Sequence, residues 1–154
     1  MERRKLDSVG LIGIGLKQII LAIGIGVLCS LLIPLVYNLI PLFFEDTDIS
    51  LVQASEQPFL ILLFGILTAV FTEELLFRAY PMERLKEVFN NDLPGIVLGV
   101  IVFCLMHVNT WNFAHVLGIV FPLGLILSIA YSKTRNLIFI MLVHFMVDVP
   151  LLII

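Results

Sequence analysis

Between residues 18 and 40 the chain carries no Asp, Glu, Lys or Arg. About 20 consecutive apolar residues are what a helix needs to cross the hydrocarbon core of a bilayer, so this stretch alone commits the chain to a membrane. The rest of the composition agrees. Hydrophobic residues make up 60% of the 154 positions and charged residues 14%, with a mean hydropathy of +1.12, against roughly 45–50% and 25% in an ordinary soluble domain. Too little polar surface exists to face water, which excludes a soluble enzyme, a disordered segment and a coiled coil. A net charge of −3 provides no basic field to hold nucleic acid. Cys29 and Cys104 both lie in apolar runs and read as small hydrophobes, not as a disulfide framework.

The expected architecture is all-α: a polytopic transmembrane helix bundle of about five spans, in one domain over residues 1–154. The spans fall at residues 18–40 (with Pro34 as a kink), 59–80, 95–108, 113–131 and 136–154. The second continues into a more charged turn or two before Pro94, and the third is short enough to need a tilt. The basic start MERRKLD precedes an apolar run too long for a signal peptide and without a small-residue cleavage site, so a retained anchor is expected. Positive charge alternates along the loops. Arg3, Arg4 and Lys5, then Arg84 and Lys86, then Lys133 and Arg135 mark every second connection, while residues 41–57 and 109–112 carry no Lys or Arg. By the positive-inside rule the N-terminus is cytoplasmic and the C-terminus lies on the far side of an integral protein expected in a bacterial plasma membrane.

Against this background the segment Glu73-Glu74-Leu75-Leu76-Phe77-Arg78 stands out. Each charge at the centre of a spanning helix costs roughly 2.5–3.5 kcal/mol on insertion scales. An interfacial salt bridge with Arg78 snorkelling to the headgroups explains the arginine but not adjacent glutamates. Glu74 and Arg78 are four apart on one helix face, acid before base, and can neutralise each other. Glu73 points about 100° away, leaving a carboxylate without a local partner and a candidate general base.

The remaining intrusions are His107, near the end of the third span, and His144 with Asp148, four apart on one face of the fifth. One intramembrane histidine is ordinarily an interhelical hydrogen bond. Ionisable groups on three different spans mark a functional site in the bundle interior. His115 follows Asn109, Thr110, Trp111 and Asn112, which reads as an interfacial loop with an aromatic anchor and gives His115 a structural role. Counted along the helices, Glu73 and His144 lie ~10 Å from the basic ends of their spans, whereas His107 lies nominally ~20 Å from Asp92. That mismatch calls for a tilted third helix.

These residues resemble the motifs of the CPBP family, the CAAX-protease and bacteriocin-processing (Abi) intramembrane proteases, whose best known members are the type II CAAX prenyl endopeptidases. The family's Glu-Glu-x-x-x-Arg, Phe-x-x-x-His and His-x-x-x-Asn/Asp motifs align with Glu73-Glu74…Arg78, Phe103…His107 and His144…Asp148, in order, over a catalytic core of residues 59–154. The resemblance implies an endopeptidase in which Glu73 and His107 activate water for attack on a peptide carbonyl. His144 and Asp148 would hold the oxyanion or the catalytic geometry, and Glu74 with Arg78 would brace the site. Prenyl endopeptidases usually have Asn where Asp148 stands. An ionised Asp cannot donate to an oxyanion, so Asp148 is either protonated or orients His144.

The cofactor is none or zinc. Two imidazoles and a carboxylate with an open position make a catalytic zinc arrangement, so Glu73, His107 and His144 are the candidate metal ligands. A metal-free glutamate mechanism needs only the base, a water and oxyanion donors. Expected partners are a peptide or protein substrate, prenylated in the CAAX case, and membrane lipid, with no nucleic acid. Two other classes stand beside the protease: a non-catalytic immunity or scaffold protein of the same fold, and a proton-coupled transporter. The lack of an internal repeat speaks against the transporter.

Overall fold

The computed structural model describes residues 5–43 and 57–152. Arg3 and Arg4, and the acidic residues Glu45, Asp46, Asp48 and Glu56 of the first long connection, lie outside the described residues. Five helices follow one another: α1 (Leu16–Leu39), α2 (Phe59–Phe89), α3 (Leu93–His107), α4 (Phe113–Thr134) and α5 (Leu137–Asp148). A short 3-10 turn, Leu6–Val9, precedes them, and no strand occurs among the described residues. Three segments, Leu16–Leu42, Phe59–Phe89 and Phe113–Thr134, are long and apolar enough to cross a membrane, while Leu93–His107 and Leu137–Leu152 are shorter apolar helices. The bundle is an integral membrane protein turned inside out relative to a soluble one. Leu28, Leu31, Leu35, Leu60 and Phe64 are exposed, whereas Glu74, Arg78 and His144 are buried.

Lipid tails are as apolar as leucine, so helices in a bilayer associate through close packing of small residues. Two such seams organise the fold. On α1, Ala22 is fully buried and Gly26 follows four residues later; a Cβ at Gly26 would stand 2.6 Å from the Val143 carbonyl oxygen of α5. On α3, Gly95 and Gly99 face α2, where added Cβ atoms would come within 2.8 Å of the Met82 Cα and 2.2 Å of the Phe77 carbonyl oxygen. Helix α5 is the buried member, with Leu137, Phe139, Ile140, Val143, His144 and Val147 all inside.

Both α2 and α4 contain a widened π-type turn, Leu75–Ala79 and Val116–Val120. Proline accounts for the placement of each. Pro81 and Pro122 lack an N–H, and their rings crowd the carbonyls four residues earlier, which belong to Phe77 and Gly118. Widening the turn relieves the crowding without ending the helix. It also turns the Phe77 carbonyl towards α3, where only a glycine lets the backbone approach so closely.

One end of the bundle is tied by polar contacts. Leu137 N donates to the Gly10 carbonyl (2.8 Å), Asn136 Nδ2 to Gly13 (3.1 Å), and Arg84 Nη2 to Ser8 (3.3 Å). Arg135 pairs with Glu83 at 3.0 Å and with Asp92, and Lys86 reaches Asp92 at 3.3 Å. The segment before α1, the α2–α3 turn and the α4–α5 turn therefore share one end, as the alternating basic loops require. Burial raises the Asp92 carboxyl, but Arg135 and Lys86 outweigh it and hold that carboxyl below its ordinary value.

Candidate active site

Glu74 immediately precedes the widened turn of α2 and Arg78 lies within its last two residues. Both are fully buried, and Arg78 Nη1 donates to Glu74 Oε1 at 2.8 Å. The same oxygen accepts from His144 Nδ1 at 2.7 Å. One carboxylate oxygen thus gathers a guanidinium from its own helix and an imidazole from α5. With Nδ1–H committed to Glu74, the other imidazole nitrogen is the one turned to neighbouring acids. His144 Nε2 lies 3.6 Å from Asp148 Oδ2 and 3.9 Å from Glu73 Oε2. Both gaps exceed a hydrogen bond, and both carboxylates are about one-quarter exposed, Glu73 at 26% and Asp148 at 23%. The two glutamates differ as their angular separation requires: Glu74 is closed in the core and Glu73 is open.

Phe103 is the hinge pin of this cluster. It is buried at 2% exposure. The Arg78 guanidinium lies over its face at 4.0 Å from the centroid, a cation–π contact strengthened by burial from bulk solvent. The His107 ring is 4.5 Å away and the His144 ring 6.4 Å, edge to face. The Phe103 carbonyl also accepts from His107 Nδ1 at 2.7 Å. A carbonyl can only accept, so Nδ1 carries the proton and His107 Nε2 keeps its lone pair. The Phe-x-x-x-His spacing therefore sets a tautomer as well as a position.

The depth mismatch expected for His107 disappears for a definite reason. Helix α2 does not end near Tyr80; it runs on to Phe89, so Glu73 lies ~24 Å along it from the α2–α3 turn. His107 lies ~21 Å along α3 from the same turn. The two antiparallel helices bring Glu73 and His107 to similar depth.

His115 sits in the first turn of α4 and has structural partners. Its ring stacks on Trp111 (4.1 Å between centroids, 7° between planes) and its Nδ1 bonds Tyr37 OH of α1. Asn112 caps the helix by accepting from His115 N at 2.8 Å. Trp111 packs against the core patch of Phe103, Val116 and Val120, so this second aromatic group adjoins the first. The cap is legible in Asn112 and His115 three apart. Nothing local marks Tyr37, which lies 78 positions away from its partner.

The candidate zinc ligands do not form a ligand set. Among the described residues no three His, Cys, Asp or Glu side chains are gathered as the ligands of one ion. Phe103 is in ring contact with both imidazoles, and with Nδ1 of each histidine donating within the protein, Nε2 is the nitrogen a metal would take. Glu73, His107 and His144 are not gathered around one point, and no step below is routed through a metal.

Helices that face lipid with leucine and phenylalanine while enclosing carboxylates, a guanidinium and imidazoles define a class: an integral membrane protein with an internal acid–base centre. Residues 55–150 match the family described as Type II CAAX prenyl endopeptidase Rce1-like. The match takes in more than half of the chain, and the chain belongs to that family, which is a family of proteases. No curated protein and no solved structure matches it.

Proposed function

We propose that this protein is an intramembrane endopeptidase in which Glu73 is the general base that activates water against a peptide bond of a CAAX-type substrate. The observation that carries the reading is the inequality of the two adjacent glutamates. Glu74 is spent on Arg78 and His144, while Glu73 is open and 3.9 Å from His144 Nε2. A water molecule hydrogen-bonded to Glu73 Oε2 loses a proton to it as the oxygen attacks the scissile carbonyl carbon. Negative charge then develops on the carbonyl oxygen, where preorganised donors act most strongly in a site shielded from water. His144, once protonated at Nε2, supplies a donor for that task, while the lone pair of His107 Nε2 accepts a hydrogen bond from the attacking water beside Glu73. Collapse of the tetrahedral species breaks the C–N bond, and the proton held by Glu73 passes to the leaving nitrogen.

Asp148 takes the orienting role. Its carboxylate faces His144 Nε2 from one turn along the same helix, favouring the imidazolium that the oxyanion needs. The basic end of the bundle, with Arg84, Lys86, Lys133 and Arg135, lies on the cytoplasmic side in this reading.

Glu73→Gln is nearly isosteric and removes the base. Cleavage of a prenylated CAAX peptide in proteoliposomes should fall by about 10²–10⁴-fold, the usual worth of a general base, with the purified protein still eluting as a folded species. Cleavage retained within tenfold would overturn the assignment of Glu73. A strong divalent chelator should leave wild-type cleavage unchanged; inhibition reversed by added zinc would overturn the metal-free mechanism.

A further inference from the structure

Four polar side-chain atoms of the buried core have no hydrogen-bond partner among the described residues: Glu74 Oε2, Arg78 Nε, Arg78 Nη2 and Ser128 Oγ. All three side chains are completely buried. A buried donor left unmade costs the full desolvation penalty of the group, and more for a charged one, so such a cluster is a feature of the fold to be explained.

The glycines around it supply the geometry. Arg78 Nη2 faces α4 at Gly124, lying 3.5 Å from where a Cβ would stand. Ser128 follows Gly124 by four residues, on the same face of α4 and one turn along. Ser128 Oγ in turn lies 4.0 Å from the Cβ position of Gly99 on α3. Arg78 and Ser128 therefore both border the junction of α2, α3 and α4, where the walls given by α3 and α4 are glycine. The chemistry of the orphaned atoms is complementary: Arg78 offers two donors, Glu74 an acceptor, and the Ser128 hydroxyl can act as either. Internal waters settle where several buried polar groups need partners.

We propose that Arg78 and Ser128 hold a buried water site, and that Ser128 is a positioning residue acting through it on the Arg78–Glu74–His144 chain. With one edge of the guanidinium held by Glu74, its face on Phe103 and its remaining donors on water, Arg78 has a single orientation. Glu74 then presents one oxygen to His144 at a set angle. The effect on cleavage rests on the protease reading above; the water site and its effect on His144 do not.

Two measurements separate these. A structure in lipid nanodiscs at a resolution that shows solvent should have a water within 3.2 Å, the upper end of a hydrogen bond, of both Arg78 Nη2 and Ser128 Oγ. Density showing the two side chains with no solvent between them, or bonded directly to each other, overturns the site. The ¹⁵N NMR shifts of the His144 imidazole report its bond to Glu74. Ser128→Ala should move them and Ser128→Thr, which keeps the hydroxyl, should not. Equal spectra for wild type and Ser128→Ala overturn the positioning role. If the wild type cleaves peptide, Ser128→Ala should lower kcat roughly five- to tenfold with KM unchanged, and Ser128→Thr should restore it. A change confined to KM, or no change, overturns the role in cleavage. A wild type that cleaves nothing counts against the protease reading and leaves the structural and NMR tests decisive.

Discussion

Glu74→Gln is the substitution whose consequence the structure defines most closely. The side chain keeps its shape and an acceptor oxygen, so packing is preserved, but the charge opposite Arg78 is lost. Arg78 is fully buried, lies 2.8 Å from Glu74 Oε1, and reaches no water of the bulk. Breaking a buried pair by removing one partner costs about 3–5 kcal/mol, because the remaining charge is stranded. For a chain of this size each kcal/mol moves Tm by about 2–4 °C, so the expected fall is on the order of 6–20 °C. The assay is thermal unfolding in detergent, followed by the fluorescence of Trp111. Arg78→Met alone should also destabilise, since it strands Glu74 with only His144 for company. The double variant, with neither charge, should lose less than the sum of the singles by about 0.5–3 kcal/mol, the range seen for directly contacting residues. A Tm for Glu74→Gln within 2 °C of wild type, or strict additivity in the cycle, would refute the claim that this pair is an interdependent unit.

Gly99→Ala should lower Tm markedly, because its Cβ would stand 2.2 Å from the backbone oxygen of Phe77; overpacking of this kind costs about 1–3 kcal/mol or more. Gly24→Ala, where nothing lies within 4 Å, is the matched control and should be neutral or stabilising by up to about 1 kcal/mol; equal losses at both sites would refute the seam. Asp92 gives a pH test. A carboxyl held below its unfolded value stabilises the fold above about pH 4 and loses that contribution as pH falls through the folded value. Acidification below about pH 4 should therefore lower Tm, and Asp92→Asn should flatten that limb. The pair is partly exposed, so the contribution is under about 1 kcal/mol. An acid limb unchanged in Asp92→Asn would show that Asp92 plays no part.

How far the residues alone carry the description differs from element to element. All five helices were legible, because a bilayer rewards long apolar runs and the breaks at Asn90–Asp92, Val108–Asn112 and Arg135–Asn136 interrupt them. The pairing of Glu74 with Arg78 and the separate direction of Glu73 follow from helical spacing. The length of α2 was not legible in the same way. Its last turns, Tyr80–Phe89, are charged and amphipathic, and read as a departure from the membrane span, though the backbone continues as one helix. The seams of Ala22 with Gly26 and Gly95 with Gly99 carry a recognisable four-residue spacing, but which helix each would meet depends on the bundle.

Spacing along a helix is a local property, so the chain by itself determined that this is a membrane bundle, which side chains are out of place in it, and which of them share a face. Contacts between helices are not local. That Glu74 serves Arg78 and His144 with the same oxygen, that Phe103 touches both imidazoles, that Tyr37 holds His115, and that Arg78 and Ser128 lie beside glycines of neighbouring helices were decided only by tertiary packing. The physical reason is that a buried charge accepts any partner of the right chemistry, and only the close approach of particular helices, set by small residues and widened turns, selects one.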